Sequence, residues 1–342
     1  MKVLVTGDRG YIGSVLVPIL LSKQYSVVGY DIGFFAENTL EIPNSNYLQI
    51  TKDIRDVTEK DLQGIESIIH LASMSNDPLG ELNPEVTKSI NFLATIKLAK
   101  LAKKVGVKRF VFASSQSIYG VSNADNELDE DTSIKNPITA YANAKWESEK
   151  ALNEICSDEF IVSSFRPSTV FGPSPRLRCD IVFNNFLASA FTSGKIEIMS
   201  DGKPWRPIVH IEDVCSALIS GLEAPANLLS GKAFNVGIKN GNYTVFELAK
   251  AAQEIVKESQ LVFTADHKDS RTYKVSFNKI YKDLGDYYKP KWSLENGGIQ
   301  LFNFYNKVHL TEAFFKGRKT IRLKQIDFLK NEGFIDNKMR KI

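Results

Sequence analysis

Apolar and polar residues fall in alternating blocks along the first half of this 342-residue chain, and the blocks are of two kinds. Short runs rich in β-branched and aromatic residues predict strands at 2–6, 26–30, 67–71, 109–113 and 160–165. Longer stretches between them predict helices over 10–22, 84–105 and 140–156. Strands this apolar are buried on both faces. The pattern therefore predicts an α/β fold, a doubly wound parallel sheet with helices on each side and right-handed crossovers. After Phe165 the pattern changes. Arg166-Pro167-Ser168 and Phe171-Gly172-Pro173-Ser174-Pro175 break regular structure, and Pro204, Pro207 and Pro225 follow. A smaller, less regular C-terminal α/β region is expected there, with helices near 180–192, 244–259 and after Leu294. Short strands at 209–211 and 233–235 are expected to rejoin the first domain. The division is then 1–172 with 207–238, a second region of 173–206 and 239–315, and an extension over 316–342.

Composition adds exclusions. Apolar content of 43% and charged content of 24% are ordinary for a soluble globular protein, and a net charge of +3 is too small to imply nucleic acid. Lys316 to Lys341 carries nine basic and three acidic residues. A solvated surface helix is the plain reading of that segment, and an anionic partner or membrane surface the sharper one. Nothing approaches the roughly 18 uninterrupted apolar residues of a membrane span, and the apolar run at the N-terminus is too short for a signal peptide. Cys156, Cys179 and Cys215 are expected to be reduced thiols of a cytoplasmic protein. The four histidines have no metal-ligand spacing, so no metal is expected.

Thr6-Gly7-Asp8-Arg9-Gly10-Tyr11-Ile12-Gly13 follows a strand and opens a helix. Gly7 permits the turn, Gly10 admits a pyrophosphate close to the backbone, and Gly13 lets helix pack on strand. The diphosphate would sit at the positive helix end, as in a Rossmann dinucleotide site. The next strand ends in Asp31, 18 residues beyond Gly13, where such a domain places a carboxylate on the adenosine ribose. A carboxylate there repels a 2′-phosphate and favours NAD over NADP. Arg9, inside the loop, argues the other way.

Tyr141 and Lys145 lie four residues apart, on one face of a predicted helix, and Ser114-Ser115 ends the preceding strand. A phenol with pKa about 10 is a poor base at neutral pH. A lysine about 5 Å away contributes roughly 3 kcal/mol at an effective dielectric near 20, or about two pKa units. The phenol then stays mostly protonated, and a positive nicotinamide ring must supply the rest. Ser115 would hold the reacting hydroxyl in line.

These motifs occur in register with Asp53-Ile54-Arg55-Asp56, His70-Leu71-Ala72, Asn91, Tyr119-Gly120 and Arg166-Pro167-x-x-Val170-Phe171-Gly172. Over roughly residues 1 to 300 the chain resembles the extended short-chain dehydrogenase/reductases, specifically the NAD-dependent epimerase/dehydratase family. The resemblance implies an NAD site formed by Gly7, Arg9, Gly10, Tyr11, Ile12, Gly13, Asp31 and Ser114. Asp53 and Ile54 would lie against the adenine, and Leu71 and Ala72 would line the cleft, with Asn91 supporting it. Lys145 would bind the nicotinamide ribose and Pro167 would pack beside the nicotinamide. Plain alternatives are a helix cap for Asp53, strand core for Leu71 and Ala72, and a backbone contact for Asn91.

By the same resemblance the substrate is a nucleotide sugar. Ser75, Ser115, Gln116 and Tyr141 would meet the sugar; Arg206, with Asn184, Asn185 and Arg271 behind it, would meet the diphosphate. His210 is expected to be structural. The family's 4,6-dehydratases place an acidic pair after the catalytic serine or threonine; here Gln116 and Ser117 stand instead, which disfavours dehydration. The first expectation is an epimerase acting by transient oxidation at a sugar carbon, C4 foremost, in surface-polysaccharide or deoxysugar synthesis. A reductase of a nucleotide-linked 4-keto sugar is the alternative, and a binding protein that has lost catalysis is a third. A homodimer through the long helices over 84–105 and 140–156 is implied. The segment 318–342 is expected to be a docking helix, a dimer contact or a mobile tail.

Overall fold

Seven parallel strands form the central sheet: β1 (Lys2–Thr6), β2 (Ser26–Asp31), β3 (Leu48–Thr51), β4 (Ser67–His70), β5 (Arg109–Ala113), β6 (Ile161–Pro167) and β7 (Lys232–Val236). The structure is a computed structural model and describes residues 1–41, 46–122, 126–264 and 272–342. The strand order β7-β6-β5-β4-β1-β2-β3 reverses direction between β1 and β4. Ligands collect beyond the carboxyl ends of the strands at such a switch point. Side chains of β1, β4 and β5 are nearly all buried, which is why these strands read as continuous apolar runs.

Several elements differ from expectation. β3 was not foreseen because Leu48, Gln49 and Thr51 are exposed on the sheet edge and the strand has no apolar face. Residues 233–235 join the sheet within β7, but 209–211 do not. Trp205–His210 instead pairs with Thr169–Phe171 and Asn242–Thr244 in a separate three-stranded sheet, and Ile211 already begins a helix. The stretch expected as one helix over 84–105 contains a π-type turn at Ser89–Leu93 between Pro84–Lys88 and Ala94–Lys104.

The second lobe has its own core, centred on Phe171, Phe183, Leu187, Leu248, Leu301 and Tyr305. Val275, Phe277, Ile280 and Tyr288 pack instead with the core of the first lobe, so residues 239–315 serve both. The basic segment is not a solvated helix. Arg322–Asn331 is helical, and Ile326, Ile335 and Met339 are buried in one cluster with Phe34, Ile54 and Leu79 of the first lobe. It lies back across the sheet end as a strap. Among the described residues, no helix is long and apolar enough to cross a membrane, and no side-chain cluster could hold a metal.

Candidate active site

The carboxyl ends of β1, β4, β5 and β6 open into a cleft of about 850 Å³, closed on the far side by the second lobe and the strap. That is ample for a bound small molecule. Its floor is the glycine loop. Gly7 has φ +73°, and a Cβ there would lie 2.8 Å from the Ala72 nitrogen. A Cβ on Gly13 would lie 2.2 Å from the Gly7 carbonyl, so the helix Gly13–Ser22 can start this close to the strand only with glycine. The N-cap residue, Ile12, offers no capping side chain, so the positive end of this helix faces the cleft without a carboxylate or hydroxyl cap of its own and suits an anion. Gly10, Tyr11 and Ile12 line the cleft, and the Tyr11 hydroxyl donates to the Gly172 carbonyl and ties the loop to the second lobe.

At one end of this cradle, Asp31 lines the cleft and accepts a 2.6 Å bond from the Gly33 nitrogen; burial raises its carboxyl pKa. Arg9 lies off the wall, donating to Thr51 Oγ1 at 2.7 Å. Asp53 and Ile54 line the cleft, but the Asp53 carboxylate is occupied. It accepts from the Arg55 nitrogen as a helix cap and pairs with the guanidinium groups of Arg55 and Arg340. Leu71 and Ala72 are on the wall, their N–H groups held 3.2 Å from Thr6 Oγ1, and Pro167 is there too. Ser114 Oγ is buried without a partner among the described residues. Asn91 departs from expectation. It is off the cleft wall, and its amide accepts from the Met74 nitrogen and donates to the Met74 carbonyl, fixing the loop after β4 rather than touching a ligand.

At the opposite end Ser115, Tyr141 and Lys145 meet on one wall. Thr139 caps the helix Ala140–Ile155, so Tyr141 and Lys145 stand in its first two turns. The Ser115 hydroxyl donates to Ser117 Oγ at 3.1 Å and lies near enough to the Tyr141 phenol to lower its pKa. Lys145 Nζ donates to the Ala113 carbonyl at 2.7 Å and lies 5.8 Å from the centre of the Tyr141 ring. Burial pushes the phenol up to about 12; Ser115 draws it down, Asp77 pushes it up, and Arg178 draws it down. Burial pulls Lys145 down to about 7. Desolvation dominates at both groups, and the tyrosine is not a base unaided. The phenol is poised to donate a proton to a ketone, and to accept one from an alcohol when a positive charge adjoins it.

Of the expected substrate residues, Ser75, Gln116, Asn185 and Arg206 line the cleft. Gln116 donates to the Arg166 carbonyl and leaves its amide oxygen buried and unpartnered among the described residues. Asn184 does not reach the cleft, because its amide is used on Gly172, Tyr11 and Arg178. Arg271 lies outside the described residues. His210 is structural: it stacks 4.4 Å from Trp292 and burial lowers its pKa to about 4. Arg178, Asp180 and Arg322 also line the cleft and were not anticipated. Two arginines one residue apart after Phe171-Gly172-Pro173 were a signal for Arg178; nothing local marked Arg322.

The side-chain-free cradle at Gly7 and Gly13 and the orphaned Ser114 hydroxyl fit a dinucleotide. The family whose model matches residues 3–237 is the NAD dependent epimerase/dehydratase family. This chain belongs to it. As a member of that family it is an NAD-dependent enzyme of the extended short-chain dehydrogenase/reductase type. UDP-glucose 4-epimerase of Mycolicibacterium smegmatis is 32% identical over 248 residues, covering 69% of this chain and 77% of the relative. UDP-glucuronic acid decarboxylase 1 of Arabidopsis thaliana is 27% identical over 328 residues, 93% of this chain and 72% of the relative. The solved UDP-glucose 4-epimerase of Thermotoga maritima with UDP-glucose superposes with a TM-score of 0.78 at 27% identity, covering 91% of this chain and all (100%) of that one. MoeE5 in complex with UDP-glucose and NAD gives 0.78 at 25% identity with the same coverage, 91% and 100%. NAD, when bound, supplies the hydride acceptor and donor that no side chain of this epimerase/dehydratase-family enzyme can provide.

Proposed function

We propose that this protein is an NAD-dependent epimerase that inverts a carbinol, C4 foremost, of a sugar carried on a nucleoside diphosphate. The observation that carries the reading is Ser115, Tyr141 and Lys145, one helical turn beyond Tyr141, together in the cleft that also holds the glycine cradle. Ser115 holds the sugar hydroxyl and Tyr141 takes its proton as hydride leaves the carbon. The same phenol returns the proton after hydride comes back to the other face. Gln116 and Ser117, where an eliminating enzyme of the family would carry acids, do not ionise near neutral pH and cannot serve as that acid and base. Arg206 and Asn185 are assigned to the substrate diphosphate.

The test is a panel of nucleotide sugars incubated with purified protein and no added cofactor, with product stereochemistry read by NMR. An epimer formed at equilibrium, with NAD released only on denaturation, supports the reading. Carbon dioxide from a nucleotide-linked uronic acid, or turnover only with added NADPH, overturns it.

The 4-keto reductase is the second reading, and one observation favours it. Arg9 and Lys341 both approach Gly33, within 3.3 and 3.7 Å of where its Cβ would be, at the place a 2′-phosphate would need. The buried Asp31 opposes it. We further infer a homodimer through the helices Ala94–Lys104 and Ala140–Ile155, beside which Leu93 is 54% exposed. Three free cysteines suit the reducing cytoplasm.

A further inference from the structure

Arg322 is an unusual residue for a surface segment. It opens the helix of the strap, is 3% exposed, and lines the cleft. Its guanidinium lies over Phe35, the central carbon 4.2 Å from the ring centre. Nη2 donates to the Arg176 carbonyl at 2.9 Å, whereas Nη1 is buried and has no partner among the described residues. Burial and the neighbouring Arg178 pull its pKa down to about 9, against the opposing pull of Asp180. No carboxylate in the cluster is left for it. Asp180 holds Arg178 through Nε at 2.9 Å and Nη2 at 3.0 Å, and Asp31 is bonded to Gly33. A buried guanidinium without a counter-charge is costly unless something supplies one.

Position narrows what that is. Arg322 shares the cleft with Arg178, Asp180 and Asp31, and the charges of all three and of Arg176 act on it. Arg178 interacts in turn with Tyr141, at the reacting end, and with Tyr11 of the glycine loop. Arg176 follows Ser174, whose hydroxyl donates to the Tyr11 carbonyl at 2.8 Å and meets Ser14 at 3.0 Å. Arg322 is thus linked through Arg176 and Ser174 to Tyr11 of the glycine loop, in the cleft that Asp31 lines at one end and Tyr141 at the other. A dinucleotide stretched between those ends carries its diphosphate there.

We propose that Arg322, delivered by the strap, is a dinucleotide-binding residue that closes on the NAD diphosphate opposite the glycine loop and holds the cofactor in. The inference goes beyond the epimerase reading and stands whether the enzyme epimerises or reduces. The strap is anchored for this task. Gln325 donates to the Phe34 carbonyl, Arg55 donates to the carbonyls of Lys338 and Met339, and Arg340 pairs with Asp53 and Asp56. NAD can leave only if part of this set opens.

The shared ligand chemistry is a diphosphate, which a nucleotide-sugar substrate also carries, so the experiment separates the two. Wild type and Arg322→Gln are stripped of cofactor, and calorimetry then measures binding of NAD⁺, ADP, adenosine and UDP; NAD retained through gel filtration is read on unstripped protein. Arg322→Gln is expected to weaken NAD⁺ and ADP by roughly 10- to 100-fold, the scale of a charge-assisted hydrogen bond, with adenosine and UDP unchanged and little NAD retained. Unchanged NAD⁺ affinity in the folded variant overturns the proposal. So does a loss confined to UDP, which would give Arg322 to the substrate, or an equal loss for all four ligands, which would make it packing alone. Should Arg322→Gln fail to fold, Arg322→Met keeps the buried stem without the charge, and an ADP-to-adenosine affinity ratio equal to wild type overturns the proposal there.

Discussion

The carboxylate of Asp8 fills the space that a side chain at residue 29 would need: a Cβ on Gly29 would lie 2.2 Å from Asp8 Oδ2. The glycine loop therefore turns one of its own side chains inward against β2. That carboxylate is 1% exposed, takes one bond from the Tyr47 hydroxyl at 2.8 Å, and leaves Oδ1 without a partner among the described residues. Burial, then Asp31 nearby, raises its pKa to about 6.

A pH dependence of stability follows. The folded carboxyl keeps its proton up to about pH 6, whereas the unfolded one releases it near 3.8. Between those values the folded state binds more protons, so stability present at low pH is lost as pH rises through 6, by up to roughly 3 kcal/mol. Asp8→Asn removes this term. Urea midpoints from pH 4 to 8 should show the variant gaining on wild type as pH rises; parallel curves would refute the assignment.

Tyr141→Phe should fold, retain NAD and lose turnover. Ser115→Ala should keep the same fold and cofactor while slowing turnover by roughly 10²-fold or more, the scale of a positioned proton-transfer group. Steady-state rates alongside the NAD content of each protein check both. Full activity in the phenylalanine variant would remove the catalytic role.

Behind the catalytic helix, Arg166 grips Glu149 with Nε at 3.0 Å and Nη2 at 2.7 Å, both side chains under 5% exposed, and donates Nη1 to the Tyr119 hydroxyl. Breaking one partner leaves a buried charge. Glu149→Ala should cost about 3–5 kcal/mol, and Glu149→Leu with Arg166→Met should recover most of it. Thermal unfolding of the three proteins decides; a single variant as stable as wild type would be the contrary result.

Gly13→Ala drives a methyl into the Gly7 carbonyl, which is backbone and cannot swing aside. Stability should fall by about 1–3 kcal/mol and bound NAD should disappear. Gly64→Ala, at φ +70° with open space around it, provides the control: some strain but full NAD content by absorbance.

The parts of the fold and site that were legible are those written in local sequence. Tyr141 and Lys145 share a helix face by spacing alone, and Gly7, Gly10 and Gly13 declare their turn because no other residue fits it. Strands β1 and β5 match their expected bounds because every side chain after the first residue is buried. What failed depended on distant partners. An asparagine amide has the same sequence signature whether it faces a ligand or, like Asn184 and Asn91, a backbone group far along the chain. Nor could a strap of mixed charge with a weak apolar face reveal which basic residue turns inward; only the packing of Ile326 and Met339 fixes Arg322.

Residues 322 to 341 are synthesised long after the glycine loop and Asp53, yet they form part of the wall around the cofactor cleft. The glycine loop therefore leaves the ribosome well before this wall exists, and the cleft is complete only once the last helix has docked.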